Sequence, residues 1–298
     1  MVGTMCDNDA FDDMLEYQLR SGGLSRRQFG ALTVGAGFLS LLPAVASAGD
    51  VALVLSDVDI KTPDGTADAY FVHPAKGSHP GVLMWPDIFG LRPAFKEMGR
   101  RLAESGYSVL VVNPFYRVKS APTAPEHPDF QDPATRDALT KLAGSLSPAT
   151  ALTDATAFVA WLDAQPSVSK KRKMATMGYC MSGPLTLRTA AAFPERIGAG
   201  ASFHGGGLVT DKPDSPHLLI PKIKAHYLIA IAANDDEKQP EAKDVLRAAF
   251  AKAGLPAEIE VYAGTKHGWC PLDSKVYDHD QAEKAWSRML ALFHSALA

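Results

Sequence analysis

The stretch Gly178-Tyr179-Cys180-Met181-Ser182-Gly183 decides the fold of this chain. A short apolar run over residues 174–177 precedes it, and a run typical of a helix, residues 185–192, follows it. The pattern predicts a strand, a sharp turn and a helix, with a cysteine at the point of the turn. Such a turn is strained and crowded, so it needs small residues two positions before and two after the nucleophile. Gly178 and Ser182 meet that requirement.

Cys180 is therefore a candidate nucleophile. The start of the helix places backbone N–H groups and the positive end of the helix dipole near the sulfur, which favours the thiolate. A cysteine here attacks a carbonyl with less dependence on a strong base than a serine. The alternative is a buried structural cysteine, which is what most free cysteines are. The position in the turn and the partners described next favour the nucleophile.

Two partners of a catalytic triad follow Cys180 in chain order. Asp235 and Asp236 come after an apolar run, residues 227–232, and His267 comes after a strand-like run that ends at residue 262. Nucleophile, acid and histidine in this order are typical of the α/β-hydrolase fold. The acid fixes the imidazole tautomer and stabilises the imidazolium. His204, beside three glycines, is left open as a pocket residue or a structural one.

The rest of the chain alternates between strand and helix patterns. Strands are predicted at residues 51–60, 67–73, 81–85, 107–112, 174–179, 197–203, 227–233 and 258–262. Helices are predicted at residues 93–105, 154–164, 185–192, 241–253 and 280–296. This alternation predicts a mainly parallel sheet with helices on both faces. The proline-rich segment 119–147 is predicted to be an insertion over the sheet edge and a candidate lid.

These motifs resemble the dienelactone hydrolase family of α/β-hydrolases. The resemblance rests on the cysteine stretch, on Asp236 four residues before Pro240, and on His267 followed by Gly268, and it covers residue 67 to the C-terminus. It implies Cys180 as nucleophile, His267 as base and Asp236 as the acid that orients it. The implied activity is hydrolysis of small esters or lactones, the carboxymethylenebutenolidase class, with no metal or organic cofactor.

The loop after the third predicted strand, Trp85-Pro86-Asp87-Ile88-Phe89-Gly90, is the next part of the resemblance. It implies that Asp87 contacts the resting cysteine, where relatives often carry the longer glutamate. The backbone N–H groups of Ile88 and Met181 are the predicted oxyanion hole. Arg117 matches an arginine that binds a substrate carboxylate in members acting on dienelactone, but their second arginine, after the histidine, has no counterpart here.

Residues 1–48 predict a leader and a twin-arginine secretion signal. Arg26 and Arg27 precede a mildly apolar run, residues 31–44, and a small-residue cleavage signal ends at Ala48. The alternative is a membrane anchor, but the run falls short of the roughly 20 residues that a span requires. Cleavage after Ala48 would leave a hydrolase domain over residues 49–298, periplasmic or secreted. The export machinery is the expected partner of the precursor.

The composition and charge of the chain limit which other classes of partner are expected. The 298 residues are 46% hydrophobic and 21% charged, with a formal net charge of -3, as in an ordinary soluble domain. No long basic run is present, so nucleic acid is not an expected partner. We expect a small-molecule ester or lactone substrate and no stable membrane span in the mature form. The histidines lack a metal-ligand spacing such as H-E-x-x-H, so no metal is expected.

Two alternatives to hydrolysis stay open at this point. Cys180 and Cys270 would both remain in an oxidising periplasm, where they could serve a thiol redox protein. The chain could also be a non-catalytic ligand-binding protein, since a fold does not fix a function.

Overall fold

The computed structural model describes residues 51–125, 128 and 130–298. The predicted leader, the twin-arginine signal and the domain boundary after Ala48 lie outside the described residues. Within the described part of the chain, no helix combines the length and the apolar character needed to cross a membrane.

An eight-stranded sheet forms the centre of the protein, in the order β1-β2-β4-β3-β5-β6-β7-β8. Its strands are β1 (Leu53–Thr62), β2 (Gly65–Pro74), β3 (Gly81–Trp85), β4 (Ser108–Val112), β5 (Met174–Tyr179), β6 (Ile197–Phe203), β7 (His226–Ala232) and β8 (Ala257–Tyr262). β1 and β2 form an antiparallel hairpin, and β2 is also antiparallel to β4. The other six strands, β4, β3, β5, β6, β7 and β8 in sheet order, are parallel to one another. The predicted α/β-hydrolase fold is confirmed.

The burial of the strands explains why the sequence predicts them. Every residue of β3, β4, β5 and β6 is buried, and each of these strands is a nearly continuous run of apolar or small residues. Such runs are expected where helices cover both faces of a parallel sheet. β1 is one of the two edge strands, and most of its residues are partly or fully exposed.

Seven α-helices are described: α1 (Pro93–Glu104), α2 (Pro133–Ala143), α3 (Pro148–Ala164), α4 (Gly183–Ala192), α5 (Ala233–Lys238), α6 (Ala242–Ala253) and α7 (His279–Ala296). α3, α4 and α6 contribute side chains to one buried apolar cluster, and α1 and α7 contribute to a second. The two clusters are the cores on opposite faces of the sheet, as the alternating pattern predicts.

Three features of the helices differ from the sequence prediction. α3 begins at Pro148 rather than residue 154, because Ser147 and Thr150 form a capping box and proline suits the first helical turn. The segment predicted as an insertion contains the unpredicted helix α2. α5 was also not predicted, and it follows β7 at the position where the acid of the triad was expected.

α2 brings apolar side chains to the loop that follows β3. Leu139 and Leu142 are buried in a third apolar cluster with Ile88 and Phe115. The segment therefore packs beside a predicted oxyanion-hole residue in the loop after β3, and its interpretation as an insertion over the sheet edge stays a prediction.

Candidate active site

Cys180 lies at the turn between β5 and α4. Its φ is 55°, a left-handed conformation that is uncommon for residues other than glycine. A Cβ on Gly178 would lie 2.5 Å from the backbone oxygen of Ser182, so no larger residue fits there without a shift. Ser182 Oγ donates to the backbone oxygen of Pro86 at 2.5 Å. The turn is thus fixed both within itself and to the loop after β3.

The histidine and an aspartate complete a chain of contacts that begins at the cysteine. Cys180 Sγ lies 3.0 Å from His267 Nε2, and His267 Nδ1 lies 2.7 Å from Asp235 Oδ2. The Cys180 residue is 6% exposed, and the His267 side chain is 12% exposed. A carboxylate on Nδ1 favours the tautomer that carries its proton there and leaves Nε2 free to accept one from the thiol.

The prediction of Asp236 as the orienting acid is wrong. The carboxylate of Asp236 accepts from Lys243 Nζ at 2.7 and 2.8 Å, while the neighbouring Asp235 binds the histidine. Both aspartates lie in the first turn of α5, where successive side chains point about 100° apart. Only one of them can therefore face His267.

Asn234 is a contact that the sequence analysis missed. Its side-chain oxygen accepts from the backbone N–H of His267 at 2.9 Å. Asn234 and Asp235 together hold the backbone and the ring of His267. Both residues follow β7, so the end of one strand fixes the loop that follows the next strand, β8.

The predicted oxyanion-hole residues lie in the two expected turns. Met181 follows the cysteine in the 3₁₀ turn Cys180–Ser182, and Ile88 lies in the turn after β3. That turn is closed by bonds from Phe89 N to Asp87 Oδ1 at 3.0 Å and from Gly90 N to Asp87 O at 2.9 Å. The N–H of Ile88 takes no part in these two bonds. Ile88 and Met181 also pack in the same apolar cluster.

Asp87 binds an arginine, and its contact with the resting cysteine stays a prediction. Arg92 Nη1 and Nη2 donate to the two oxygens of Asp87 at 2.6 and 2.9 Å, so the carboxylate is held by an arginine. The same arginine donates to both oxygens of Asp273 at 2.7 and 2.9 Å. Burial alone lowers the pKa of Arg92, but the two carboxylates outweigh it and raise the pKa above its usual value. Arg92 thereby joins the loop after β3 to the loop after His267.

Arg117, predicted to bind a substrate carboxylate, binds two carboxylates of the protein. Its guanidinium donates to both oxygens of Asp154 at 2.7 and 2.8 Å and to one oxygen of Asp64 at 2.6 and 2.9 Å. The side chain of Asp154 has no exposed surface, so it requires this partner. The residues around Arg117 in the sequence do not predict its contacts with Asp64 and Asp154, which lie 53 and 37 positions away.

With this geometry in place, comparison with known proteins gives the family. A sequence model described as the dienelactone hydrolase family matches residues 67–297. The chain belongs to the dienelactone hydrolase family. A carboxymethylenebutenolidase from Rhodococcus opacus is 28% identical over 212 residues, covering 70% of this chain and 78% of the relative. Family membership and this relative support hydrolase activity.

Solved structures agree on the fold. A dienelactone hydrolase from Anabaena variabilis is 14% identical with a TM-score of 0.60, covering 83% of this chain and 99% of that one. A dienelactone hydrolase-like promiscuous phosphotriesterase from metagenomic libraries is 22% identical with a TM-score of 0.67, covering 83% and 100%. At these identities the structures establish the shared architecture alone.

In this member of the dienelactone hydrolase family, His204 is a buried neighbour of His267. Its ring packs edge-on against His267 with centroids 5.0 Å apart, and the residue is 1% exposed. Within the described part of the chain, neither ring nitrogen has a hydrogen-bond partner. Burial lowers the pKa of His204 well below its usual value, and the adjacent His267 lowers it further. Burial therefore favours the neutral form of this ring, which lies next to the candidate base.

Among the described residues, Cys180 and Cys270 form no disulfide, and both are buried. Cys270 packs in the apolar core on one face of the sheet, with neighbours such as Phe203 and Trp286. Burial raises the pKa of the Cys270 thiol well above its usual value, so this thiol is a poor nucleophile at neutral pH. These observations do not favour a redox pair of Cys180 and Cys270.

Proposed function

We propose that the protein hydrolyses carboxylic esters or lactones through a cysteine nucleophile. The observation that carries the proposal is the continuous contact from Cys180 Sγ to His267 Nε2 at 3.0 Å and from His267 Nδ1 to Asp235 Oδ2 at 2.7 Å. Nucleophile, base and orienting acid in hydrogen-bond reach of one another are the arrangement that acyl transfer requires. The name of the Rhodococcus opacus relative, carboxymethylenebutenolidase, supports ester or lactone hydrolysis.

The first half of the reaction forms a thioester. His267 Nε2 takes the thiol proton, and the sulfur electron pair of Cys180 attacks the substrate carbonyl carbon. The carbonyl electrons move to its oxygen, which the N–H groups of Ile88 and Met181 stabilise. When the tetrahedral species collapses, the ester C–O bond breaks, and His267 gives its proton to the leaving alkoxide.

The second half releases the acid. His267 takes a proton from water, and the resulting hydroxide attacks the thioester carbonyl. The C–S bond breaks, and the proton returns to the sulfur of Cys180, so the enzyme is restored. Asp235 stabilises the imidazolium in both halves without taking a proton itself. Water, the ester and the chain's own residues supply every atom of this cycle.

A panel of p-nitrophenyl esters and simple lactones tests the proposal. Cys180→Ala should lower kcat by at least about 10³-fold, because it removes the nucleophile while the rest of the site remains. Cys270→Ala is the matched control: it removes the other buried cysteine and should keep activity within about threefold. The wild-type protein should also gain the mass of the acyl group at Cys180 during rapid turnover. Retained turnover in Cys180→Ala would exclude the mechanism.

We also propose export by the twin-arginine pathway to the periplasm or medium, with cleavage after Ala48. Support comes from the sequence alone, where Arg26 and Arg27 precede a mildly apolar run and a small-residue cleavage signal. Expression of the full chain in a bacterium with this pathway, followed by fractionation, provides the test. The wild-type product should be exported and begin at Gly49. The Arg26→Lys, Arg27→Lys double variant should stay in the cytoplasm, and export of that variant would contradict the proposal.

A further inference from the structure

Two arginines that could bind a substrate carboxylate, Arg92 and Arg117, are already occupied by protein carboxylates. All three guanidinium nitrogens of Arg92 donate to oxygens of Asp87 or Asp273, and its side chain is 11% exposed. One guanidinium thus faces two carboxylates. The fork that would hold a substrate carboxylate through two parallel bonds is already used inside the protein.

Arg117 is occupied in the same manner. Its three guanidinium nitrogens donate to Asp64 or Asp154, again with two carboxylates for one positive charge. To bind a substrate anion, Arg117 would have to release Asp154, whose side chain has no exposed surface. A buried carboxylate left without its partner is strongly unfavourable. This arginine is therefore unsuited to recognise an acidic substrate.

Three lysines, Lys119, Lys243 and Lys266, also have oxygen atoms of the protein near them. Lys243 binds the carboxylate of Asp236, and Lys119 donates to the backbone oxygen of Thr123 at 3.0 Å. Lys266 lines a surface depression with Asp278 and Asp280. Of these three lysines, Lys243 has its charge balanced by a bonded carboxylate, and Lys119 is held by a backbone oxygen away from Cys180's partners.

The surroundings of the predicted oxyanion-hole residues are apolar. Ile88 and Met181 pack in one cluster with side chains from the segment that includes α2 and from the loop after His267. The other members of this cluster are Phe89, Phe115, Ala124, Phe130, Leu139, Leu142, Ala143, Leu146 and Val276. When the carbonyl oxygen of a substrate accepts from the amides of Ile88 and Met181, the rest of its acyl group therefore lies next to apolar side chains.

We propose that the substrates are uncharged esters with apolar acyl groups, and that the site selects against an acyl group carrying a carboxylate. The inference rests on the proposed function. Asp87 and Asp273 share the single positive charge of Arg92, so the loops after β3 and after His267 carry a surplus negative charge next to the predicted oxyanion-hole residue Ile88. Repulsion between like charges in a largely buried site lowers the affinity for an anion.

Three p-nitrophenyl esters that share one carbon chain separate charge from polarity: the pentanoate, the methyl glutarate and the mono-glutarate. The first two are neutral, and the third carries a carboxylate at the end of the chain. Using the full-length protein, kcat/KM should be at least about tenfold higher for both neutral esters than for the mono-glutarate. Because the side chain of Asp273 is 45% exposed, salt screens part of its charge, and the ratio should shrink in 1 M NaCl. Equal values, or a preference for the mono-glutarate, would overturn the inference while leaving ester hydrolysis intact.

A second measurement does not depend on turnover. Iodoacetamide is neutral and iodoacetate is anionic, and both alkylate a thiolate with loss of iodide. We expect the rate ratio of iodoacetamide to iodoacetate at Cys180, followed by peptide mass spectrometry, to exceed that of glutathione at least about fivefold. An imidazolium beside the thiolate attracts the anion, so such a preference requires the carboxylates. A ratio equal to that of glutathione would overturn the inference even if no ester were hydrolysed.

Charge variants connect the selectivity to named residues. Asp273→Asn leaves Arg92 with one carboxylate in place of two, so the preference for iodoacetamide should fall by about threefold or more. Glu104→Gln, on the exposed surface of α1, removes the same charge away from the site and should leave the ratio unchanged. Equal effects of the two substitutions would assign the selectivity to net charge rather than to Arg92, and would contradict the proposal.

Discussion

The carboxylate of Asp235 lies 2.7 Å from Nδ1 of His267, while the adjacent Asp236 binds Lys243. The two aspartates have the same chemistry and consecutive positions, yet only Asp235 can act on the imidazole. Their different partners follow from the short helix α5, which turns their side chains in different directions. This pair provides an internally controlled test of the triad.

Replacing each aspartate by asparagine should separate the two roles. Asp235→Asn should lower kcat on a p-nitrophenyl ester by about 10²–10⁴-fold, because an amide favours the wrong imidazole tautomer and cannot stabilise the imidazolium. Asp236→Asn breaks only a partly exposed ion pair with Lys243 and should keep kcat within about threefold. The opposite order of effects would restore Asp236 as the orienting acid.

The elements that could be predicted from the sequence are those with a local pattern. β3 to β6 are short apolar runs because both of their faces are buried, and the turn at Cys180 needs small neighbours such as Gly178. The candidate nucleophile and base were identified for the same reason. Each follows a predicted strand, and parallel strands bring their carboxyl ends to one edge of the sheet.

The choice of acid and the roles of the arginines could not be predicted, because distant residues decide them. Arg92 and Asp273 are 181 positions apart in the chain, and Arg117 and Asp154 are 37 apart. No periodicity links such pairs. Likewise, Asp235 and Asp236 differ only in the direction imposed by α5, a helix too short to leave an apolar pattern.

Arg92 should be important for stability because it joins two loops of the site. Arg92→Met would leave Asp87, a largely buried carboxylate, without its cation, and we expect a loss of about 3–5 kcal/mol in the free energy of unfolding. Arg100→Met, on the helix α1 that follows Arg92, removes contacts with the exposed Glu97 and Glu104 and should cost about 1 kcal/mol or less. Urea unfolding at pH 7 measures both. Equal losses would mean that Arg92 acts as an ordinary surface arginine.

His204 should make stability depend on pH. The pKa of His204 is lowered in the folded protein. Below the pKa of about 6.5 that His204 has in the unfolded chain, the unfolded chain therefore binds a proton that the folded protein does not bind. Its contribution is therefore fully present above pH 6.5 and is lost as the pH falls, by up to about 1.4 kcal/mol per pH unit.

The slope of unfolding free energy against pH isolates this histidine. Urea unfolding between pH 5 and 8 should give a smaller decline on acidification for His204→Asn than for the wild-type protein. Asparagine tolerates the left-handed backbone found at this position, where φ is 40°. The variant is expected to be less stable at every pH, since the ring is fully buried, so only the slopes are compared. Parallel curves would show that His204 titrates normally in the folded state.

Gly178→Ala should disable the nucleophile turn. The added Cβ would lie 2.5 Å from the backbone oxygen of Ser182, and a backbone atom cannot move away as a flexible side chain can. The turn must therefore shift, and a displacement of about 1 Å at a nucleophile costs roughly 100-fold in rate. We expect at least that loss in kcat, with the sheet retained in the far-ultraviolet circular dichroism spectrum.

Gly144→Ala is the matched control, because this glycine ends α2 in a right-handed helical conformation with φ of -63°. A Cβ there would lie 3.3 Å from the backbone oxygen of Lys141, a contact that a few tenths of an ångström relieve. Its kcat should stay within about threefold of the wild-type value, and its stability should change by about 1 kcal/mol or less. If Gly178→Ala also kept wild-type activity, the crowding of the turn would not control the position of Cys180.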